Sequence, residues 1–215
     1  MKLMIMGHAR HGKDTVADIL REQYSIKCIS SSWHACQAFV FDALKDKYRY
    51  TSAEECFNDR NQHRQKWFDL ISAYNEQDKS RMAHEIFSEH DAYIGCRNSD
   101  EFIAIRDANL FDFAIWVDRS QHLPAENQES CTVSPHQADY LLDNNGSLHD
   151  LKLKIIRMMQ ELNTTAARRE ALLKHFDRHT RQLINIAAGV GAAAKIAPRD
   201  LSALQTYIEH QEQRA

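Results

Sequence analysis

The chain has 215 residues, 43% of them hydrophobic and 27% charged, which fits one catalytic-sized domain with an appendage and excludes a disulfide-stapled module or a bilayer-spanning chain. Its formal net charge of -3 provides no overall cationic field, so any contact with nucleic acid or anionic lipid has to use a local groove. The five cysteines form no C-x-x-C pair and the N-terminus carries no signal-peptide pattern, which together indicate a reducing, cytoplasmic location.

The N-terminal half begins with two strand-and-helix units. An apolar run over residues 2–6 predicts a strand, and after a glycine-bounded loop Val16, Ile19 and Leu20 recur at helical spacing. Residues 26–29 predict a second strand, and the apolar residues that follow it have helical spacing. From about residue 45 to 90 every apolar repeat is helical, so we expect an all-helical insertion there.

Three further strands are predicted over residues 92–95, 113–117 and 138–142. Five short strands that alternate with helices indicate an α/β fold with a mainly parallel sheet covered on both faces. In such a sheet the loops at the carboxyl ends of the strands form the binding site. A helix over residues 148–162 is expected to close the sheet, and residues 163–215 predict a C-terminal helical extension.

The strongest functional signal lies between the first strand and the first helix. Residues 7–13 fit the pattern G-x-x-x-x-G-K, in which backbone N–H groups and a helix N-terminus face phosphate oxygens while the lysine reaches the β- and γ-phosphates. The pattern predicts a nucleoside triphosphate site, against the alternative of a chance glycine-bounded turn. Its members are Gly7, His8, Ala9, Arg10, His11, Gly12 and Lys13.

The residue after Lys13 departs from the usual pattern. Asp14 stands where a serine or threonine normally contacts magnesium, and the hydroxyl comes one residue later, at Thr15. The Asp14 carboxylate is a candidate ligand for Mg²⁺ or a base that accepts the proton of an attacking alcohol, and Thr15 is a second candidate metal ligand. The alternative is a carboxylate that only stabilises the helix N-terminus.

Polar residues at three later strand ends complete the predicted site. Arg97 follows the third strand and is a candidate clamp for an acceptor phosphate, or else forms a surface ion pair. Asp118 and Arg119 end the fourth strand, where the acid is a candidate metal ligand and the arginine is expected to cover the nucleotide, unless both are only solvated. Asn145 lies in the loop after the fifth strand, which is either a backbone contact for adenine or a plain turn.

The helical insertion interleaves aromatic and basic residues, a combination that suits stacking on a base and contact with the phosphates of a single strand. The alternative is that the aromatic residues belong to the core and the charges form a solvated face. The residues concerned are Tyr48, Arg49, Tyr50, Arg60, His63, Arg64, Lys66 and Trp67.

Four segments together make the chain resemble bacteriophage P-loop kinases of the deoxynucleoside monophosphate kinase or thymidylate kinase-like group. They are residues 7–17, 93–102, 115–120 and 138–146, and the resemblance implies a P-loop kinase domain over residues 1–162. Within that group the chain is most similar to the phage enzymes that phosphorylate 5-hydroxymethyluracil already in DNA, a step toward hypermodified thymidines.

The resemblance implies ATP as the donor, Mg²⁺ as the cofactor and an infected bacterial host cell as the location. It further implies that Lys13 stabilises the transferring charge, that Asp14 is a base or metal partner, and that Arg97 orients the acceptor. Residues 121–136 replace the usual lid, so Arg10 and Arg119 are the nearest candidates for the arginine that clamps the donor. Two alternatives remain: a kinase of free deoxynucleoside monophosphates, and a protein that binds ATP as a switch or assembly module.

The C-terminal extension contains an apolar stripe at helical spacing. Such a stripe has to pack against something, either the chain's own kinase domain or a second copy, and we favour a homodimer. The stripe consists of Leu172, Phe176, His179, Leu183 and Ile186.

Overall fold

The computed structural model describes residues 1–126 and 131–175, with side chains to residue 168, and it has the predicted α/β fold. Its sheet has five strands in the order β2-β3-β1-β4-β5. All four neighbouring pairs are parallel, which confirms the predicted sheet. The strands are β1 (Leu3–Met6), β2 (Cys28–Ser30), β3 (Ala92–Ile94), β4 (Phe113–Asp118) and β5 (Tyr140–Asp143).

The central position of β1 follows from its unbroken apolar sequence. Side chains alternate between the two faces of a strand, so Leu3 and Ile5 enter one core while Met4 and Met6 enter the other. All four are fully buried. A strand of this kind is stable only when helices cover both faces of the sheet.

Two helices cover the face that receives Leu3 and Ile5. α1 (Lys13–Tyr24) contributes Val16 and Leu20, and α8 (Leu148–His175) contributes Ile155. Because α8 follows β5 and α1 follows β1, this layer fixes the loops at the carboxyl ends of both strands.

The remaining helices cover the opposite face. Within the predicted insertion they are anchored to the sheet by buried apolar residues that include Trp67, Met82 and Ile86. A π-helical turn, Cys36–Val40, joins the first two of them. These helices are α2 (Ser31–Ala35), α3 (Phe41–Tyr48), α4 (Ala53–Asn58), α5 (Arg64–Tyr74), α6 (Arg81–Glu89) and α7 (Ser99–Asp107).

The C-terminal part of the chain is described only as far as α8. This helix continues through residue 162, where the sequence predicts that the kinase domain ends, and the domain division stays a prediction. Leu172 lies on α8, whereas Phe176, His179, Leu183 and Ile186 lie outside the described residues. In the described part of the chain, every helix is too short or too polar to cross a bilayer.

Candidate functional site

The loop between β1 and α1 depends on two glycines in left-handed backbone conformations. Gly7 has φ +139°, and a Cβ atom on it would lie 2.5 Å from the carbonyl oxygen of Val117 on β4. Gly12 has φ +92°, and a Cβ atom there would overlap the side-chain amide of Asn144. Both conformations and both close approaches exclude larger residues, so neighbouring strands hold this loop tightly.

Lys13 turns its side chain into the loop instead of toward solvent. Its Nζ atom donates to the carbonyl oxygens of Gly7, at 2.7 Å, and His8, at 2.6 Å, and the residue is only 8% exposed. Burial, followed by the charge of Arg97, lowers the pKa of Lys13 to about 8, against the opposing effect of Asp14. Lys13 forms no ion pair with any residue described here.

His11 and Asn144 connect the loop to the ends of β4 and β5. The fully buried His11 ring accepts a hydrogen bond at Nδ1 from the backbone N–H of Arg119, at 3.0 Å. Asn144 donates from Nδ2 to the carbonyl oxygen of His11, at 2.9 Å. The motif predicted only that His11 belongs to the loop, and the bracing role of both residues depends on contacts across the sheet that no sequence spacing reveals.

The predicted residues Asp118, Arg119 and Asn145 come together between β4 and β5. Arg119 donates from Nη1 to the carbonyl oxygen of Asn144, at 2.9 Å. The Asp118 carboxylate accepts from the Ser120 hydroxyl, at 2.9 Å, and from Nδ2 of Asn145, at 3.1 Å. Asp118 and Asn145 also line a cleft of about 350 Å³ beside these strands.

The candidate metal ligands Asp14 and Thr15 are exposed on the first turn of α1, directly after Lys13. Carboxylate and hydroxyl oxygens are the ligands that Mg²⁺ prefers, so the donor set fits this ion. Asp118 supplies a second carboxylate, although its oxygens are already hydrogen-bonded to Ser120 and Asn145. The metal-binding roles of all three remain predictions.

Glu126 enters the phosphate loop from the segment after β4, and the sequence analysis missed it. Its Oε2 atom accepts from the backbone N–H of Ala9, at 2.6 Å, and its Oε1 atom accepts from Nη1 of Arg97, also at 2.6 Å. Nη2 of Arg64 lies 3.5 Å from the same Oε1. Burial opposes the charge, but Arg97 and the Ala9 N–H outweigh it and lower the pKa of Glu126.

The predicted site residue Arg97 is therefore paired with Glu126 in the structure. The arginine does lie beside the phosphate loop, as expected for a residue at the end of β3, and its partner is a carboxylate of the same chain. Arg10, the other candidate clamp, is exposed in a left-handed conformation with φ +63°. No motif marks Glu126, because its position depends on how residues 119–126 fold over the loop.

No family model and no curated protein matches this sequence. Among solved structures, the chain is similar to a shikimate kinase from Bacteroides thetaiotaomicron, at 12% sequence identity and a TM-score of 0.43. The similarity covers 76% of this chain and 98% of that one. Because the identity and the TM-score are this low, the description of the fold depends on the strand order and on the loop between β1 and α1, not on this similarity.

Part of the aromatic and basic set in the insertion is structural. Tyr48 stacks on His63, with 4.0 Å between ring centroids, and the Tyr50 hydroxyl donates to Asp59, at 2.7 Å. Trp67 is 5% exposed and belongs to the core. For these residues, packing within the insertion explains the pattern.

The rest of the set leaves a small exposed surface on α5. Arg60 is covered by its contact with Phe57, 3.9 Å from the ring centroid. Arg64 and Lys66 are exposed, and Phe68, one turn after Arg64, is 56% exposed. Because residues four apart share a helix face, Arg64 and Phe68 place a cation and an aromatic ring on the side of α5 that approaches Glu126.

Proposed function

We propose that this protein is an ATP-dependent phosphotransferase. The observation that supports this proposal is the buried ammonium group of Lys13, which has carbonyl oxygens as hydrogen-bond partners and no ion-pair partner among the described residues. Burying a charge without a counter-charge is costly. A polyphosphate bound by the backbone N–H groups of the loop would supply the missing negative charge.

The proposed reaction assigns one role to each group near the loop. An acceptor hydroxyl oxygen forms a bond to the γ-phosphorus while the bond from that phosphorus to ADP breaks, and the hydroxyl proton passes to the Asp14 carboxylate. Lys13 stabilises the charge on the transferring group, and Arg97 orients the acceptor. Thr15 and Asp118 would hold Mg²⁺, which neutralises phosphate charge when it is bound.

The proposed acceptor is the hydroxymethyl group of 5-hydroxymethyluracil in DNA. The exposed side chains of Arg64 and Phe68, one turn apart on α5, support a local groove in which the cation contacts a phosphate and the ring stacks on a base. Such a groove suits a flipped base or a single strand better than a long duplex. A hydroxyl acceptor also gives Asp14 a reason to be a base, since a phosphate acceptor is already ionised near pH 7.

The net charge of -3 favours a second acceptor, a free deoxynucleoside monophosphate, because DNA binding depends on cationic surface.

One experiment distinguishes the two acceptors from each other and from a protein that only binds ATP as a switch. The protein is incubated with γ-labelled ATP, Mg²⁺ and, in parallel, single-stranded DNA containing 5-hydroxymethyluracil, matched thymine DNA and free monophosphates. We expect label in the modified DNA alone. Label only in free diphosphates would reject the DNA acceptor, and no label in any acceptor would reject a kinase of these substrates in favour of the switch.

The catalytic assignments are tested on the same substrate. Lys13→Ala should lower the rate by at least about a hundredfold, because charge on the transferring group loses its main stabilising contact. Lys27→Ala, which changes an exposed lysine directly before β2, at the edge of the parallel sheet opposite the loop, is the control and should transfer phosphate normally. Asp14→Asn should retain ATP binding and lose transfer. Normal transfer by Lys13→Ala would overturn the kinase proposal.

A further inference from the structure

The carboxylate of Glu126 lies between hydrogen-bond donors that favour an anion. Its two oxygens are bound on different sides, one by the Ala9 N–H of the phosphate loop and the other by the guanidinium of Arg97. The side chain is 13% exposed, against 36% for Arg97. Charge-assisted bonds of this length are among the stronger polar contacts in proteins, so each carboxylate oxygen has a specific partner.

The surroundings favour an anion here over a metal ion. His8, Glu126 and Cys131 place three ligand-type atoms within 4.8 Å of one another. However, burial raises the pKa of the Cys131 thiol, which keeps it protonated, and the charges of Arg97 and Lys13 both act on the same region. Cations already supplied by the chain repel a further cation and attract a carboxylate or a phosphate.

The same backbone N–H cannot serve Glu126 and a phosphate oxygen at once. In a G-x-x-x-x-G-K loop the N–H groups between the two glycines are the donors that face the phosphates, and Ala9 lies between Gly7 and Gly12. The Glu126 backbone also contacts the loop, because its N–H donates to Nδ1 of His8, at 3.3 Å. Residue 126 is therefore tethered beside the site through both its main chain and its side chain.

We propose that Glu126 is a built-in competitor of the donor phosphates: its carboxylate fills the anion position of the loop in the free protein, and a bound polyphosphate has to displace it. This inference rests on the proposed function in that the displacing ligand is the ATP polyphosphate. The competition raises the ATP concentration that is needed to fill the loop. Displacement would also release Arg97 from its ion pair, so that ATP binding leaves Arg97 free to contact the acceptor.

Equilibrium titration of the Glu126→Gln protein tests the competition. Glutamine has nearly the same shape and keeps an oxygen that can accept from the Ala9 N–H, but it lacks the charge that competes with phosphate. We expect the Kd for ATP to fall by about tenfold, the effect of removing one charge-assisted contact. Glu89→Gln, the same change at an exposed position at the end of α6, should leave the Kd unchanged.

Inorganic tripolyphosphate, titrated in parallel, separates this inference from the proposed function. Tighter binding of both ATP and tripolyphosphate by Glu126→Gln supports the competition. Tighter binding of tripolyphosphate without any binding of ATP supports the competition and rejects the nucleotide donor. Equal or weaker binding of both probes by Glu126→Gln, relative to the unchanged protein, would overturn the inference even if ATP binds and is used.

Discussion

The two halves of the carboxyl edge of the sheet are held together in different ways. On the half where we propose that ATP binds, the donor half, the loop between β1 and α1 is fixed by backbone geometry and by neutral hydrogen bonds, one from the Arg119 N–H to His11 and one from Asn144 to the loop. On the half where we propose that the acceptor binds, the acceptor half, Arg97 follows β3, Arg64 lies on α5, and both contact the carboxylate of Glu126. Neutral, buried bonds define the first half, and long charged side chains define the second.

This difference predicts how each half responds to change. Buried hydrogen bonds in a low-dielectric interior are costly to break and allow one geometry. Partly exposed ion pairs contribute little to stability and rearrange readily. We therefore expect substitutions on the donor half to affect folding and binding together, and substitutions on the acceptor half to affect function alone.

Gly12→Ala should have the largest effect. At φ +92° an alanine is strained, and its Cβ atom would overlap the Asn144 amide that donates to His11. We expect the free energy of unfolding to fall by about 3 kcal/mol, from the sum of strain and a broken buried hydrogen bond. ATP binding should weaken at least about a hundredfold, as measured by titration.

Gly146→Ala is the matched control on the same half. A Cβ atom there would meet the Asp150 side chain, at 2.9 Å from Oδ2 and 3.2 Å from Cβ, and its backbone is not in the left-handed region. It should bind ATP normally and lower the free energy of unfolding by no more than about 1 kcal/mol, clearly less than Gly12→Ala. Equal tolerance of both alanines would contradict the view that backbone geometry fixes the donor half.

Lys13 gives the donor half a pH dependence whose sign follows from its burial. Its pKa of about 8 in the folded chain lies below the ordinary value of 10.5, so between these values the unfolded state binds more protons and stability rises with pH. Below pH 8 Lys13 is charged in both the folded and the unfolded state, so the folded state bears the full free-energy cost of burying that charge. Without nucleotide and in EDTA, the free energy of unfolding of Lys13→Met should therefore exceed that of the unchanged protein below pH 8.

The advantage of Lys13→Met should shrink as the pH rises from about 8 to 10.5, as measured by denaturant unfolding at each pH. Arg97 lowers the pKa of Lys13 while Asp14 and Glu126 raise it, so Glu126→Gln should move the start of this change to lower pH. A stability difference that does not vary with pH would mean that Lys13 is not buried as a charge.

The sequence predicted the conformation of the loop between β1 and α1 because the determinants of that loop are local. The spacing of Gly7, Gly12 and Lys13 fixes a loop whose conformation few other residues allow. The alternation of β1 between two cores likewise follows from a short apolar run. What the sequence did not reveal was the bracing by Asn144, because that contact joins residues more than a hundred positions apart.

The acceptor half was harder to predict for the same physical reason. Arg97 was expected at the end of β3, but its partner Glu126 lies 29 residues further along the chain in a segment without a regular hydrophobic period. Likewise, composition alone does not separate Trp67, which belongs to the core, from Phe68, which is exposed. Only the packing of α5 against the π-helical turn, and of Trp67 against Phe57 on α4, decides which aromatic ring faces solvent.

Phe68→Ala should have the smallest effect on stability and sharpens the contrast between the two halves. The side chain is 56% exposed, so the free energy of unfolding should change by no more than about 0.5 kcal/mol. If the ring stacks on an acceptor base, its loss should raise the KM for the modified DNA by about tenfold, the effect of one lost stacking contact. The Kd for ATP should not change, because the donor half remains intact.

Leu153→Ala, at a 52% exposed position on α8 across the sheet, is the control and should alter none of these quantities. An unchanged KM for Phe68→Ala would place the acceptor base away from α5, and a large loss of stability would mean that this surface, like the donor half, is part of the fold.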